Sequence, residues 1–199
     1  MSICLAIDTS TSRTSVGLVE DGALLWHGFQ DGATAHGSAL PQLVSQGLAQ
    51  QSKVDQVVVG MGPGPYTGLR VGIAFAISFG RARGIPVTGI CSLDAIAALI
   101  HEDDFVVATD ARRKEIYWAR YINGVRTEGP SVDLPKFVAA IGVSAFGEGS
   151  FKYQLTTNEE FLFPDMASLV ELSKNSDNKI NEAMYLRRPD AVPTSERTQ

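Results

Sequence analysis

Two short stretches end an apolar run on an acid, and both are chemically suited to phosphate. In the first, Cys4-Leu5-Ala6-Ile7 leads into Asp8-Thr9-Ser10-Thr11, a carboxylate and three hydroxyls that can hold a metal–phosphate group through oxygen. In the second, Val106-Val107-Ala108-Thr109 leads into Asp110-Ala111-Arg112-Arg113-Lys114, where cations follow the acid. Asp8, Thr9, Ser10, Asp110 and Arg112 are therefore candidates for contact with a nucleotide phosphate. Aspartate and hydroxyl residues also populate turns because they bond their own backbone, so a tight turn and a solvated hairpin tip are the competing readings.

A third candidate is the run Val57-Val58-Val59-Gly60-Met61-Gly62-Pro63-Gly64-Pro65-Tyr66-Thr67-Gly68-Leu69-Arg70. A buried strand entering a glycine-rich turn and then a helix start presents backbone N–H groups to an anion, which brings in Gly62, Gly64 and Thr67. The Gly-Lys-Ser/Thr ending of a phosphate loop is missing, and Pro63 and Pro65 each remove a donor. The alternative is a tight strand-to-helix corner with Thr67 as N-cap.

Other chemistries find little support. His27, His36 and His101 are too scattered for a helical metal pair, and neither Glu-x-x-His nor Cys-x-x-Cys occurs, so no self-contained metal site is expected. A Gly-x-Ser-x-Gly elbow is missing as well. Cys4 and Cys91 both sit in apolar runs and read as buried free thiols.

The elements that must position these residues follow from periodicity and turn chemistry. Strands are expected over 2–8, 12–20 and 23–29, the last two joined by Asp21-Gly22. A helix over 37–51 carries Leu40, Leu43, Val44 and Leu48 at helical spacing, with Pro41 in its first turn. Then come a strand over 54–60, a helix over 67–84, a strand over 85–90 and a helix over 93–101. From 105 the order of three strands and a helix returns, over 105–110, 115–122, 125–132 and 134–141, with Asn123-Gly124 as a hairpin turn. A further strand within 142–149 and a helix over 165–174 capped by Asp165 complete the second half, and the polar tail 187–199 reads as mobile. The repeat predicts two lobes, 1–103 and a smaller 104–199, with Asp8 and Asp110 facing each other across a cleft.

The helix over 67–84 is apolar on two faces: Leu69, Ile73, Ala76, Ile77 and Gly80 on one, Val71, Phe75 and Phe79 on the other. One face can lie on the sheet; the other needs the neighbouring helix, another chain, or both. Leu40, Leu43, Val44, Leu48, Leu69, Val71, Ile73, Phe75, Ile77 and Phe79 are accordingly the candidate partner or dimer surface. With 44% hydrophobic and 20% charged residues the 199-residue chain is globular, and its net charge of −5 argues against a broad basic face for nucleic acid. With neither a basic leader nor a run of about 20 apolar residues, the expected location is cytoplasmic, with no membrane role.

Ile7-Asp8-Thr9-Ser10-Thr11, Gly62-Pro63-Gly64-Pro65-Tyr66-Thr67-Gly68-Leu69-Arg70-Val71-Gly72, Asp110-Ala111-Arg112-Arg113-Lys114-Glu115-Ile116-Tyr117 and Tyr185-Leu186-Arg187 together resemble the TsaB (YeaZ) family of the bacterial machinery for threonylcarbamoyladenosine in tRNA. Pro65 and Tyr66 stand where that family usually has Ser and Phe. The resemblance implies an α/β, two-lobed actin-like/Hsp70-like ATPase (ribonuclease H-like) fold, with a mixed sheet flanked by helices in the N-terminal lobe. It also implies loss of catalysis. The catalytic relative TsaD grips its metal with a His-x-x-x-His pair after the strand matching 85–90, and Ser92 and Ile96 take those places here. The implied role is a scaffold that forms a heterodimer with TsaD through its two N-lobe helices, with the ATPase TsaE joining the assembly and tRNA reached indirectly. The same surface can pair with itself when the chain is alone. No intrinsic cofactor is implied, but ATP or ADP can sit at the partner junction. A stand-alone ATPase or phosphotransferase using Asp8 and Asp110 is the alternative.

Overall fold

A computed structural model of the chain describes residues 2–156 and 162–187. The expected tail 187–199 therefore falls almost wholly outside the described residues, Arg187 excepted. The strands are β1 (Ile3–Asp8), β2 (Arg13–Glu20), β3 (Ala23–Asp31), β4 (Gln56–Gly60), β5 (Val87–Ile90), β6 (Asp104–Arg112), β7 (Glu115–Ile122), β8 (Val125–Asp133), β9 (Ser144–Phe146) and β10 (Lys179–Ile180). The helices are α1 (His36–Gln50), α2 (Tyr66–Arg83), α3 (Ser92–Ala97), α4 (Pro135–Ala139), α5 (Glu148–Lys152) and α6 (Met166–Ser173).

The first sheet runs β10-β5-β4-β1-β2-β3, with β1, β4 and β5 parallel and β2 and β3 folded back as antiparallel hairpins. The second runs β8-β7-β6-β9 with the same connectivity. The molecule thus has the two-lobed actin-like, ribonuclease H-like fold. The second lobe is a shortened copy of the first: five-residue α4 and α5 stand where the first lobe has 15-residue α1 and 18-residue α2.

β1 shows why both faces of the first sheet are covered. Its side chains alternate, so Ile3, Leu5 and Ile7 join Leu40, Leu43 and Val44 of α1 and Ala76 of α2 in one core. Cys4 and Ala6 point the other way, toward Ala95 of α3 and Met166, Leu169 and Val170 of α6. α3 also belongs to the second lobe's core, where Leu93 and Ile96 meet Phe105, Ala119 and Tyr121. The Tyr121 hydroxyl donates to Asp94 Oδ1 at 2.7 Å, a polar tie across the same seam.

Chain order and spatial membership part company after the second sheet. The segment assigned by sequence to the C-terminal lobe returns to the first: α6 packs under β1 and β2, and β10 extends the first sheet beyond β5. Asp165 caps α6 as expected, its Oδ2 accepting the Ser168 N–H at 2.7 Å. Thr67 is not a cap. Pro65 holds that position with no side-chain bond, and Thr67 lies inside the first turn. Pro41 sits one residue deeper in α1 than expected, because the helix begins at His36. α5 begins inside the 142–149 stretch, for which the sequence offers a strand and a Gly147-Glu148-Gly149 loop but no helix.

Close approach explains the glycines of α2. A Cβ at Gly72 would fall 2.3 Å from Thr9 Oγ1, and one at Gly68 would fall 2.6 Å from the Thr9 carbonyl oxygen. Gly72→Ala is expected to lower unfolding free energy by about 1–3 kcal/mol through overpacking. Gly37→Ala meets nothing within 4 Å and is expected to be neutral or stabilising by up to about 1 kcal/mol. Urea denaturation of the two variants measures both.

Candidate functional site

The turn after β1 is buried throughout: Asp8, Thr9 and Ser10 are each 1% exposed and Thr11 is 2% exposed. The Asp8 carboxylate is held from both sides. Oδ1 accepts the Ser10 N–H at 2.8 Å and the Ser10 hydroxyl at 2.7 Å, while Oδ2 accepts the Ser92 hydroxyl at 2.6 Å. Burial pushes the Asp8 carboxyl above its ordinary value, and the hydrogen bonds from Ser92 and Ser10 oppose that rise. Gly60 closes the third side, since a Cβ there would lie 1.8 Å from Asp8 Oδ2.

Ser92 does more than meet Asp8. Its hydroxyl accepts the Gly62 N–H at 3.2 Å, and its own N–H donates to the Gly62 carbonyl at 2.7 Å. One serine at the start of α3 therefore ties the β1 turn to the glycine corner. The corner itself is a packing device: Gly62 has φ +95°, the Gly62–Pro63 peptide is cis, and a Cβ on Gly64 would fall 2.4 Å from the Ser10 carbonyl. Thr9 Oγ1 donates to the Gly68 carbonyl at 2.8 Å. Asp8, Thr9, Ser10, Gly62 and Gly64 are thus brought together and face one another. Thr67 and Arg112 lie apart from them, lining a cavity of about 350 Å³ with His36 and Pro65.

The second acid also turns inward, to the second lobe. Asp110 takes Lys152 Nζ at 2.6 Å and the Tyr153 hydroxyl at 3.0 Å. Between the two turns stands Glu148, 7% exposed at the start of α5. Its carboxylate accepts the Ser12 N–H at 3.2 Å, the Ser12 hydroxyl, and a backbone bond from Asp110. Burial raises the Glu148 carboxyl, against the hydrogen bonds from Ser12. Glu148 thus places an acid where the two turns meet, its oxygens taken by donors from Ser12 and Asp110. Sequence reasoning missed Glu148 and the bridging part of Ser92. The Gly147-Glu148-Gly149 stretch was the available signal for the first; Gly149 lets α5 lie on Thr109, whose backbone a Cβ would meet at 2.8 Å.

The candidate partner surface divides in two. Leu40, Leu43, Val44 and Leu69 are 0%, 7%, 3% and 0% exposed and belong to the interior, because α1 lies flat on β2 and α2 on β4. Val71, Ile73, Phe75, Phe79 and Leu48 are half-buried against that core, and Ile77 is 41% exposed. Phe75 stacks on Phe79 with centroids 6.0 Å apart. Cys4 and Cys91 are buried free thiols, raised to about 11 and about 12 by burial. Among the described residues no three His, Cys, Asp or Glu side chains cluster as metal ligands, and no helix is long and apolar enough to cross a membrane.

Residues 31–176 match the family model of TsaD, the tRNA N6-adenosine threonylcarbamoyltransferase. The Escherichia coli tRNA threonylcarbamoyladenosine biosynthesis protein TsaB is 31% identical over 125 residues, spanning 59% of this chain and 54% of that protein. A structure of YeaZ from Pseudomonas aeruginosa superposes with a TM-score of 0.69 at 26% identity, covering 87% of this chain and 91% of the other. The chain belongs to the TsaB (YeaZ) family. An uncharacterized protein of Mycobacterium tuberculosis is 42% identical over 203 residues, covering 97% of this chain and 95% of its own length. The chain spans 57% of the length of a Mycobacterium leprae relative that is 44% identical to it.

In this TsaB-family chain, Ser92→Ala leaves Asp8 Oδ2 without its donor and is expected to cost about 1–3 kcal/mol in urea denaturation. Glu148 supplies a pH test. Its native carboxyl holds a proton at pH values where the unfolded chain has released it. Stability from this group is therefore complete below the ordinary glutamate value and is lost as pH rises through the raised one. Glu148→Gln is expected to gain stability relative to the parent across that rise, and the difference to level off above it. Thermal melts at stepped pH measure the effect.

Proposed function

We propose that this chain is a non-catalytic subunit required for threonylcarbamoyl transfer to adenosine 37 of tRNA. It acts by forming a heterodimer with TsaD, and TsaE joins the larger assembly. The observation that carries this reading is the closed Asp8–Ser92–Gly62 network. The position where the catalytic relative carries a metal-binding imidazole is filled here by a serine whose hydrogen bonds are spent inside the fold. Glu148 supports the same reading by taking the Ser12 donors across the cleft. The stand-alone ATPase alternative needs Asp8 and Asp110 open to Mg-ATP, whereas Asp8 is 1% exposed and Asp110 engages Lys152. Any ATP or ADP belongs, on this view, at the junction with the partner.

Docking uses the two apolar flanks of α2 that border its buried stripe, exposed Ile77 with half-covered Ile73 on one side and half-covered Val71, Phe75 and Phe79 on the other, with Leu48 on α1. The same surface pairs two copies when TsaD is absent. The interior residues Leu40, Leu43, Val44 and Leu69 support it from beneath.

Ile77→Asp is expected to keep its fold and to weaken TsaD binding at least tenfold, the loss of an apolar anchor of about 1.4 kcal/mol or more. Leu43→Asp is expected to unfold the chain, because it buries a charge without a partner. Calorimetric titration with TsaD, beside transfer assays on tRNA with each protein alone and mixed, checks the reading. Transfer or sustained ATP turnover by this chain alone overturns it, as does full TsaD affinity in Ile77→Asp.

A further inference from the structure

Three hairpin tips can be compared within the described residues. Asp21–Gly22 joins β2 to β3 and Asn123–Gly124 joins β7 to β8, each pair with positive φ and each built from residues that accept it readily. The tip between β6 and β7 is different. Arg112, Arg113 and Lys114 stand in succession at φ 66°, 49° and 64°, a left-handed run with neither glycine nor asparagine. Bulky side chains are disfavoured there, and strain of this kind persists where the side chains serve something besides the turn.

The tip does not stand alone. Lys114 lines a shallow surface depression of about 460 Å³ with Lys136, Leu134, Pro135 and Tyr153. Lys152 lies 5.4 Å from the Tyr153 ring, and Lys136 lies 5.1 Å from the ring of Phe137, which is 58% exposed. Five of the chain's 17 cations thus gather on this end of the second lobe, in a protein of net charge −5. Of the acids beside them, Asp110 is engaged by Lys152 and Tyr153, and Glu115 is paired with Arg187. A basic field set against the overall sign of the molecule marks a polyanion site. The aromatic faces between the cations narrow the choice, because successive bases stack on such rings while phosphates meet lysine and arginine.

We propose that the β6–β7 tip, with Lys136, Phe137 and Lys152, forms a contact surface for the backbone and unpaired bases of an RNA. The choice of tRNA as that RNA rests on the function proposed above. The surface belongs to the second lobe and leaves Ile77 on α2 free, while Arg112 at its edge shares a cavity with Thr67 and Val71 of α2. An acidic protein segment would meet the same cations but has no use for the exposed ring of Phe137.

The test measures fluorescence anisotropy of labelled, unmodified tRNA with the whole chain and no other protein. If about four phosphates are engaged, binding is expected to weaken roughly a hundredfold between about 50 and about 200 mM salt. Lys114→Gly is the informative variant, since glycine accepts the local backbone. It is expected to raise the melting temperature while lowering tRNA affinity several-fold and the salt slope by about one. Phe137→Ala is expected to lower affinity with the slope unchanged, and Lys174→Ala on the first lobe is expected to change neither. No binding at low salt overturns the proposal, as does unchanged affinity in Lys114→Gly or an equal loss in Lys174→Ala. Polyglutamate competing as well as unlabelled tRNA overturns it in favour of an acidic protein. Because TsaD is not in the assay, these failures are separate from a failure to bind TsaD.

Discussion

A carboxylate with 1% of its surface exposed has to be held by donors from the protein itself, and the donors that reach Asp8 decide how three distant segments meet. Ser10 comes from the turn Asp8 begins, and Ser92 comes from the first residue of α3, 84 positions later. The Ser92 hydroxyl also accepts from Gly62 at the glycine corner. This three-way tie leaves no room for side chains between the partners. Gly60, Gly64, Gly68 and Gly72 each occupy a place where a Cβ would collide with Asp8, Ser10 or Thr9. The glycine-rich corner therefore exists to let α2 lie against the β1 turn, and the absence of a phosphate-loop lysine is consistent with that use.

The second lobe depends on the first for its position. Tyr121 reaches Asp94, Glu148 reaches Ser12, and α3 lends Leu93 and Ile96 to the second lobe's core. With α4 and α5 shortened to five residues each, Val106, Ala108 and Trp118 are covered by Val138 of α4 together with Ile141, Val143, Tyr153 and Leu155 from the segments that follow the two helices. The same shortening brings Glu148 into the cleft at the head of α5. An acid in the cleft, an α2 surface left partly open at Ile77 and a run of cations at the β6–β7 hairpin are the features this packing leaves.

Much of the architecture was legible in the residues because local chemistry dictates it. Asp21-Gly22 and Asn123-Gly124 mark hairpins, Gly84 ends α2 in the left-handed conformation, and Asp165 caps α6 through the Ser168 N–H. The repeated order of strands and helix was readable for the same reason. The exposure of the helix faces was legible only in part. Helical spacing identifies apolar faces, yet it cannot separate a face covered by the sheet from one left open; Leu43 proved interior and Ile77 exposed. The return of α6 and β10 to the first sheet had no local signal, since their apolar pattern suits either lobe.

The sequence by itself determined most of the elements, the repeated strand and helix order and the family, because alternation, helical periodicity and turn residues act over a few positions and the motifs are contiguous. Only the tertiary structure decided what the candidate residues face. Asp8 and Ser10 proved to be closed in, Thr67 and Arg112 to share a separate cavity, and Ser92 and Glu148 to complete the site. The reason is distance along the chain: hydrogen bonds spanning 84 and 136 residues follow from how the lobes pack, and single residues without a local pattern announce nothing of their partners.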